Sequence, residues 1–304
     1  MLSRKNKLVL LKLLSLFSVV RGYNILILVI AQYLTAIFIL APNRGWKNVL
    51  LDTNLFVIVL ASSGVIAAGY IINNFYDREK DLINRPQKTM LDRLVSQQTK
   101  LTAYFILNFL SVVLASYVSF KAVVFFSLYI FGIWFYSHKL KKILFVGNIV
   151  ASLLSITPFF AVFIYYLNFD QVIFVHATFL YLMLIMKELV KDMGNLKGDI
   201  AQNYRTIAVE YGEGMSKKLV SILVFVSGIP LYLLLNTYRI GGMRIFFYAS
   251  IFLLILFLVA LWRSKGKVHY VWLHNILKFI IVSGVFSIVL IDFKSILDKI
   301  LSFL

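Results

Sequence analysis

The sequence predicts an all-α polytopic membrane protein of nine transmembrane helices with its N-terminus on the cytoplasmic side. Three observations predict it. Of 304 residues, 61% are hydrophobic and only 14% charged, more apolar surface than one aqueous core can hide. The apolar residues gather in nine runs close to membrane-spanning length. The cations are shared very unequally between alternate connections, as topology requires.

Taken in order, residues 1–21, "MLSRKNKLVLLKLLSLFSVVR", scatter cations through apolar residues and lack a small-residue cleavage site. They read as an amphipathic helix on the bilayer surface rather than a signal peptide. Candidate spans follow at about 22–40, 53–76, 101–118, 122–137, 146–167, 171–189, 218–237, 243–262 and 269–291. With the N-terminus inside, 23 of the 31 Lys and Arg fall in the N-terminal segment and the 77–100, 138–145, 187–218 and 263–268 connections. The other face holds Arg44, Lys47, Lys121, Arg239, Arg244, Lys294 and Lys299, and Lys278 sits within a span. This imbalance orients the chain, which reads as a single integral domain over 1–304.

Composition also excludes. There is no cysteine, so disulfides, thiolate nucleophiles and Cys-based metal sites are ruled out. His138, His176, His269 and His274 lack metal-ligand spacing. The net charge of +18 belongs to membrane topology and anionic headgroups rather than to nucleic acid.

The 13 acids are concentrated. Four lie in the 77–100 connection and five in 187–217, both following spans that end on one membrane face. Asn73, Asp77 and Asp81 recur at i, i+4 and i+8; Asp192, Asn195 and Asp199 at i, i+3 and i+7. Each set occupies one helix face, where stacked carboxylates repel unless a cation lies between them. Oxygen ligands without His or Cys point to Mg²⁺, which bridges a few carboxylates to substrate phosphates. Interleaved cations, Arg78, Lys80, Arg85, Lys88, Lys141, Lys187, Lys191 and Arg205, suit a polyanion. Glu79 and Glu188 read as ion-pair partners, and Asp92, Glu210 and Glu213 as ordinary loop acids.

These residues carry a resemblance. An Asn-x-x-x-Asp-x-x-x-Asp pattern after the second span and an aspartate-rich pattern after the sixth are similar to those of UbiA-type intramembrane prenyltransferases. "DLINRP" at 81–86, "YSHKLKKILFVGN" at 136–148, "KELVKDMGNLKGD" at 187–199 and "YRTIAVEYG" at 204–212 resemble the geranylgeranylglycerol-phosphate geranylgeranyltransferase branch. Two positions depart: many members carry Asp where this chain has Asn74, and a carboxylate where it has Asn195.

The resemblance implies a bundle around a central cavity and Mg²⁺-dependent transfer of a prenyl group from a polyprenyl diphosphate to a lipophilic acceptor through an allylic cation. It implies metal ligation by Asn73, Asp77, Asp81, Asp192, Asn195 and Asp199, and diphosphate contact by Asn73, Arg85, Lys141, Lys187, Lys191 and Arg205. Asp77, Asp81, Asp192, Asp199 and Tyr136 form its catalytic set, with Tyr136 beside the basic "HKLKK" stretch as a cation-stabilising ring or a diphosphate contact. Tyr70, Phe75 and Tyr76 are candidate walls. The acceptor stays open between a prenylglycerol phosphate and an aromatic quinone precursor. An ion-coupled carrier and an inactive scaffold are the competing classes; the acids' position at one face, not the midplane, argues against a carrier. The basic connections fit a prokaryotic plasma membrane with the site opening to the cytoplasm and no obligate protein partner.

Overall fold

The computed structural model describes residues 4–292; Lys294 and Lys299, assigned above to the non-cytoplasmic face, lie outside the described residues. Its helices are α1 Arg4–Val19, α2 Gly22–Thr35, α3 Trp46–Leu50, α4 Thr53–Tyr76, α5 Arg78–Asn84, α6 Pro86–Asp92 and α7 Gln97–Val118. After them come α8 Phe120–His138, α9 Val146–Tyr166, α10 Gln171–Ala201, α11 Ile207–Glu210, α12 Gly212–Asn236, α13 Arg244–Arg263 and α14 Lys267–Ser287. A π-helical turn, Ala36–Leu40, continues α2. Among the described residues nine helices are long and apolar enough to cross a membrane: α2, α4, α7 to α10 and α12 to α14.

Local chemistry sets several boundaries. The Asp52 carboxylate accepts the Asn54 and Leu55 amides and starts α4; Ser96 and Ser119 cap α7 and α8, each meeting a donor that the first turn leaves without a partner. Pro86 opens α6 with a fixed φ suited to a first turn, while Arg85 before it leaves the helical region at φ −143. Pro158 lies inside α9 and cannot donate to the Leu154 carbonyl. The Tyr129 hydroxyl donates to that carbonyl instead, at 2.9 Å. Gln32 on α2 donates in turn to the Pro158 carbonyl at 2.9 Å, so the proline becomes a joint between three spans.

Among the described residues two large apolar cores form, one for each half of the chain, beside a smaller cluster around Ile71, Ile72 and Tyr104. Leu55, Ile58, Val65, Phe126 and Val162 belong to the first, and Met186, Val190, Leu234, Phe257, Leu261 and Leu277 to the second. The helices' outward faces are as apolar as their cores: Phe225 is 74% exposed and Phe252 61%, the arrangement expected when the solvent is hydrocarbon.

The structure departs from the expected boundaries in one region that matters. The segment 187–201, read as the start of a connection, is helix to its end, so α10 runs 31 residues. Lys187, Glu188 and Lys191 pair with one another along it. The 77–100 connection is built mainly of α5 and α6.

Candidate active site

The end of α4 and the last third of α10 line one cavity, with α5 packed on α10 beside it. α4 stops at Tyr76, and Asp77, at φ −91 and ψ 5, forms the break before α5. The break turns the Asp77 side chain into a cavity of about 50 Å³ whose wall includes Asn73, Tyr136, Lys141, Asn148, Lys191, Asp192 and Tyr204. Asparagine 84 holds α5 against α10: its amide donates to the Asn195 carbonyl at 3.1 Å and its oxygen accepts the Gly198 N–H at 3.2 Å. Glycine 198 is what permits this approach. A methyl group there would stand 2.3 Å from Asn84 Nδ2 and 2.9 Å from the Lys80 carbonyl oxygen, so the glycine's cost inside a helix is accepted in exchange for contact. On the facing wall the Lys141 backbone lies against Gly147, whose added methyl group would stand 3.0 Å from the Lys141 carbonyl oxygen.

Asp77 is the hub. Lys141 Nζ donates to it at 2.7 Å and to Asn73 Oδ1 at 3.2 Å; the Tyr204 hydroxyl donates to it at 2.6 Å. Lys80 stands 4.0 Å from Asp77 and 3.1 Å from Asp199, with its ammonium 4.0 Å from the centre of the Tyr204 ring. Asn148 donates to Asp192 at 2.7 Å, and Lys191 pairs with Glu188. Asp77, Asp192 and Asp199 are all buried. Burial alone would raise the Asp77 carboxyl, but the Lys80 and Lys141 ammoniums and the hydrogen bonds from Lys141 and Tyr204 outweigh it and hold the group at about 2. Burial also raises the Tyr204 hydroxyl, and the neighbouring Asp77 anion adds to it; this phenol is a donor that keeps its proton.

Of the residues predicted from sequence, Asn73, Asp77, Tyr136, Lys141, Lys191, Asp192 and Arg205 line the cavity. Arg205 stands at its mouth, its side chain 67% exposed and paired with Glu210. Asp199 touches the cavity only through Lys80, and Lys187 pairs with Glu188. Asp81, Arg85 and Asn195 are not on the wall. Asp81 lies one turn beyond the helix break, where burial and then the Asp77 charge raise its carboxyl; Asn195 meets α5 through its backbone. Asp92, read as an ordinary loop acid, is buried and accepts from Asn74. Sequence reasoning passed over Asn148, Tyr204 and Thr206 and left Lys80 among the general cations. Asn148 and Tyr204 stood inside the quoted segments; a lone amide near the start of an apolar helix was the available signal for the first.

The donor set fits Mg²⁺ in its chemistry. Asn73, Asp77, Asp192 and Asp199 offer hard oxygens, and both Asp199 carboxylate oxygens are buried without a hydrogen bond among the described residues, although Lys80 lies in ion-pair range. No three acids converge closely enough to hold a metal alone among the described residues. An ion that draws its other ligands from phosphate and water needs only one or two carboxylates.

At the opposite end of α10 lies a second cavity of about 150 Å³ lined mainly by apolar side chains, among them Phe159, Phe163, Phe179, Met183, Phe247 and Ile281, with Thr35 and His176 as its hydrogen-bonding groups. His176 and Asp192 are separated by sixteen residues of helix, roughly 24 Å.

Comparison with known proteins yields concordant matches. The model of the UbiA prenyltransferase family matches residues 29–270. The digeranylgeranylglyceryl phosphate synthase of Sulfurisphaera tokodaii is 27% identical over 232 residues, 74% of this chain and 81% of that protein. The synthase of the same name from Methanobrevibacter smithii is 26% identical over 249 residues, covering 78% and 83%. Among solved structures, one from work on digeranylgeranylglyceryl phosphate synthase in membranes has a TM-score of 0.69 at 20% identity, covering 92% of this chain and 98% of that one. A UbiA homolog from Archaeoglobus fulgidus bound to GPP and Mg²⁺ has a TM-score of 0.67 at 14% identity, covering 90% and 99%. At these identities the structural likeness speaks for the fold.

Proposed function

The chain belongs to the UbiA prenyltransferase family, and on that premise we propose that it transfers a geranylgeranyl group from its diphosphate to a prenylglycerol phosphate. The observation that carries the reading is the meeting of two acid-bearing segments, one at a helix break and one on an unbroken helix, in a single polar cavity with lysines and a phenol. The acceptor is inferred from relatives named for a digeranylgeranylglyceryl product.

In this reaction the allylic C–O bond breaks, diphosphate leaves with the electron pair, and the acceptor's hydroxyl oxygen forms the new bond and gives up its proton. Asn73, Asp77, Asp192 and Asp199 would hold Mg²⁺, which would supply charge neutralisation for the diphosphate as it departs. Lys141, Lys191 and, at the mouth, Arg205 bind the same anion by charge-assisted hydrogen bonds. The Tyr204 phenol anchors the Asp77 carboxylate, so the carboxylate stays ionised and fixed in direction. Tyr136, on the cavity wall, is the ring assigned to stabilise the allylic carbon as it becomes positive, and the buried walls keep water from it. The apolar second cavity suits hydrocarbon and supports substrates with long tails. The distribution of cations supports a cytoplasmic N-terminus, a site opening to the cytoplasm, and residence in a prokaryotic plasma membrane.

The test is transfer in membranes with Mg²⁺ and radiolabelled geranylgeranyl diphosphate, using geranylgeranylglycerol phosphate, 4-hydroxybenzoate and dihydroxynaphthoate as acceptors beside Asp77→Ala and Asp192→Ala. Metal-dependent labelling of the glycerol lipid, lost in both variants, is the expected result. Labelling of an aromatic acceptor instead would replace the acceptor assigned here; no diphosphate release by folded protein with any acceptor would overturn the reading.

A further inference from the structure

Asn74, which stands where many family members carry Asp, follows Asn73 directly, yet the two amides face different surroundings. Asn73 lines the polar cavity. The Asn74 amide lies between two buried charges: Lys100 Nζ donates to its oxygen at 3.0 Å, and its nitrogen donates to Asp92 at 3.1 Å. Lys100 is 1% exposed and Asp92 4%. No carboxylate comes within ion-pair distance of Lys100 among the described residues, so the amide is the link between the two charges. The other Asp92 oxygen has the Ser18 hydroxyl within 3.5 Å, and Ser15 donates to the Leu91 carbonyl at 2.9 Å. The bridge therefore joins α4, α6 and α7 and touches α1.

An amide accepts from an ammonium and donates to a carboxylate at the same time; a carboxylate only accepts. An aspartate at 74 would keep the bond from Lys100 but oppose Asp92 oxygen to oxygen, leaving a buried like-charge pair. We propose that Asn74 is a positioning residue for prenyl transfer: by bridging Lys100 and Asp92 it sets the rotation of the last turn of α4 and so aims Asn73 and Asp77 into the cavity. Its departure from the family pattern is thus compensated on the side of the helix away from the substrate, and is not the loss of a metal ligand.

The kinetic part rests on the transfer activity assigned above; the folding part does not. Four proteins are compared in lipid nanodiscs: the native chain, Asn74→Asp, Asp92→Asn, and the double variant, in which the new carboxylate accepts from Lys100 and the new amide at 92 donates to it. We expect Asn74→Asp to melt at least 5 °C lower and to lose at least tenfold in kcat per folded molecule. The double variant should return to within threefold of native kcat and recover most of the melting temperature. A purely structural bridge would leave kcat per folded molecule unchanged in Asn74→Asp, and that result overturns the proposal. So does a double variant no better than the single one, or an Asn74→Asp variant that works at lower Mg²⁺ than the native chain, the mark of a regained ligand. If Asn74→Asp does not fold, the folded double variant and its kcat decide the matter. If the native chain transfers nothing, the reading of function fails while the melting cycle still judges the bridge.

Discussion

The two cavities at opposite ends of α10 are built on different principles. The one around Asp77 and Asp192 is small and polar, and nearly every group on its wall is tied to another by a directed bond. The one around Phe247 and Met183 is about three times larger and is held by shape alone. Under the proposed function, the position of single atoms in the first carries the chemistry, and changes there should be felt in decades of rate. In the second, the same proposal makes the volume open to hydrocarbon what counts, and changes there should be graded by size.

The largest expected effect is at the hub. Asp77→Ala removes the acceptor of both Lys141 and Tyr204 and should lower transfer by about 10³-fold or more, measured as labelled product per folded enzyme; a loss below tenfold would break the contrast. Next comes Gly198→Ala, whose methyl group must push Asn84 and the Lys80 backbone away. The shift should cost roughly 10²-fold in kcat, although Ala is the better helix former. Removing one donor, Tyr204→Phe, should cost about 10- to 100-fold, the worth of a hydrogen bond to a buried charge. Ala177 lines the apolar cavity, and Ala177→Leu should raise KM for geranylgeranyl diphosphate about fivefold and leave geranyl diphosphate unchanged; equal effects on both would mean that the cavity does not sense tail length.

The smallest effect concerns stability. The Asp77 carboxyl lies at about 2 against an ordinary 3.8, so its ionised form contributes about 2 kcal/mol that is complete above pH 4 and lost as pH falls through 2. The difference in melting between the native chain and Asp77→Asn should therefore shrink across that interval and stay flat from pH 5 to 7.

The contrast also explains what could be read in the sequence. Nine spans were legible because a run of about 20 apolar residues has few other uses, and Asp77 and Asp192 stood out because acids are rare in this chain. The helical continuation of α10 to Ala201 was not legible because a cluster of charges such as Lys187, Glu188 and Lys191 reads as a connection until their mutual pairing is seen. Tyr204 reaches Asp77 across 127 positions, a relation with no periodicity to announce it. Asn74, Lys100 and Asp92 were invisible as a set for the same reason: each is ordinary alone, and only the fold makes one amide answer two charges.

Asn84 and Tyr204 give the site a schedule. Lys141 follows Asp77 by 64 positions, the α10 partners of Asn84 come 111 and 114 positions after it, and Tyr204 comes last. At a synthesis rate of 5–20 residues per second, the chain spends roughly 6–25 s between making Asp77 and making the phenol that anchors it. Through that interval the half-built bundle keeps the Asp77 carboxylate beside Lys80, made three positions later, and then beside Lys141, before the phenol exists. The order of synthesis thus gives the Asp77 carboxylate its two ammonium partners before its phenol.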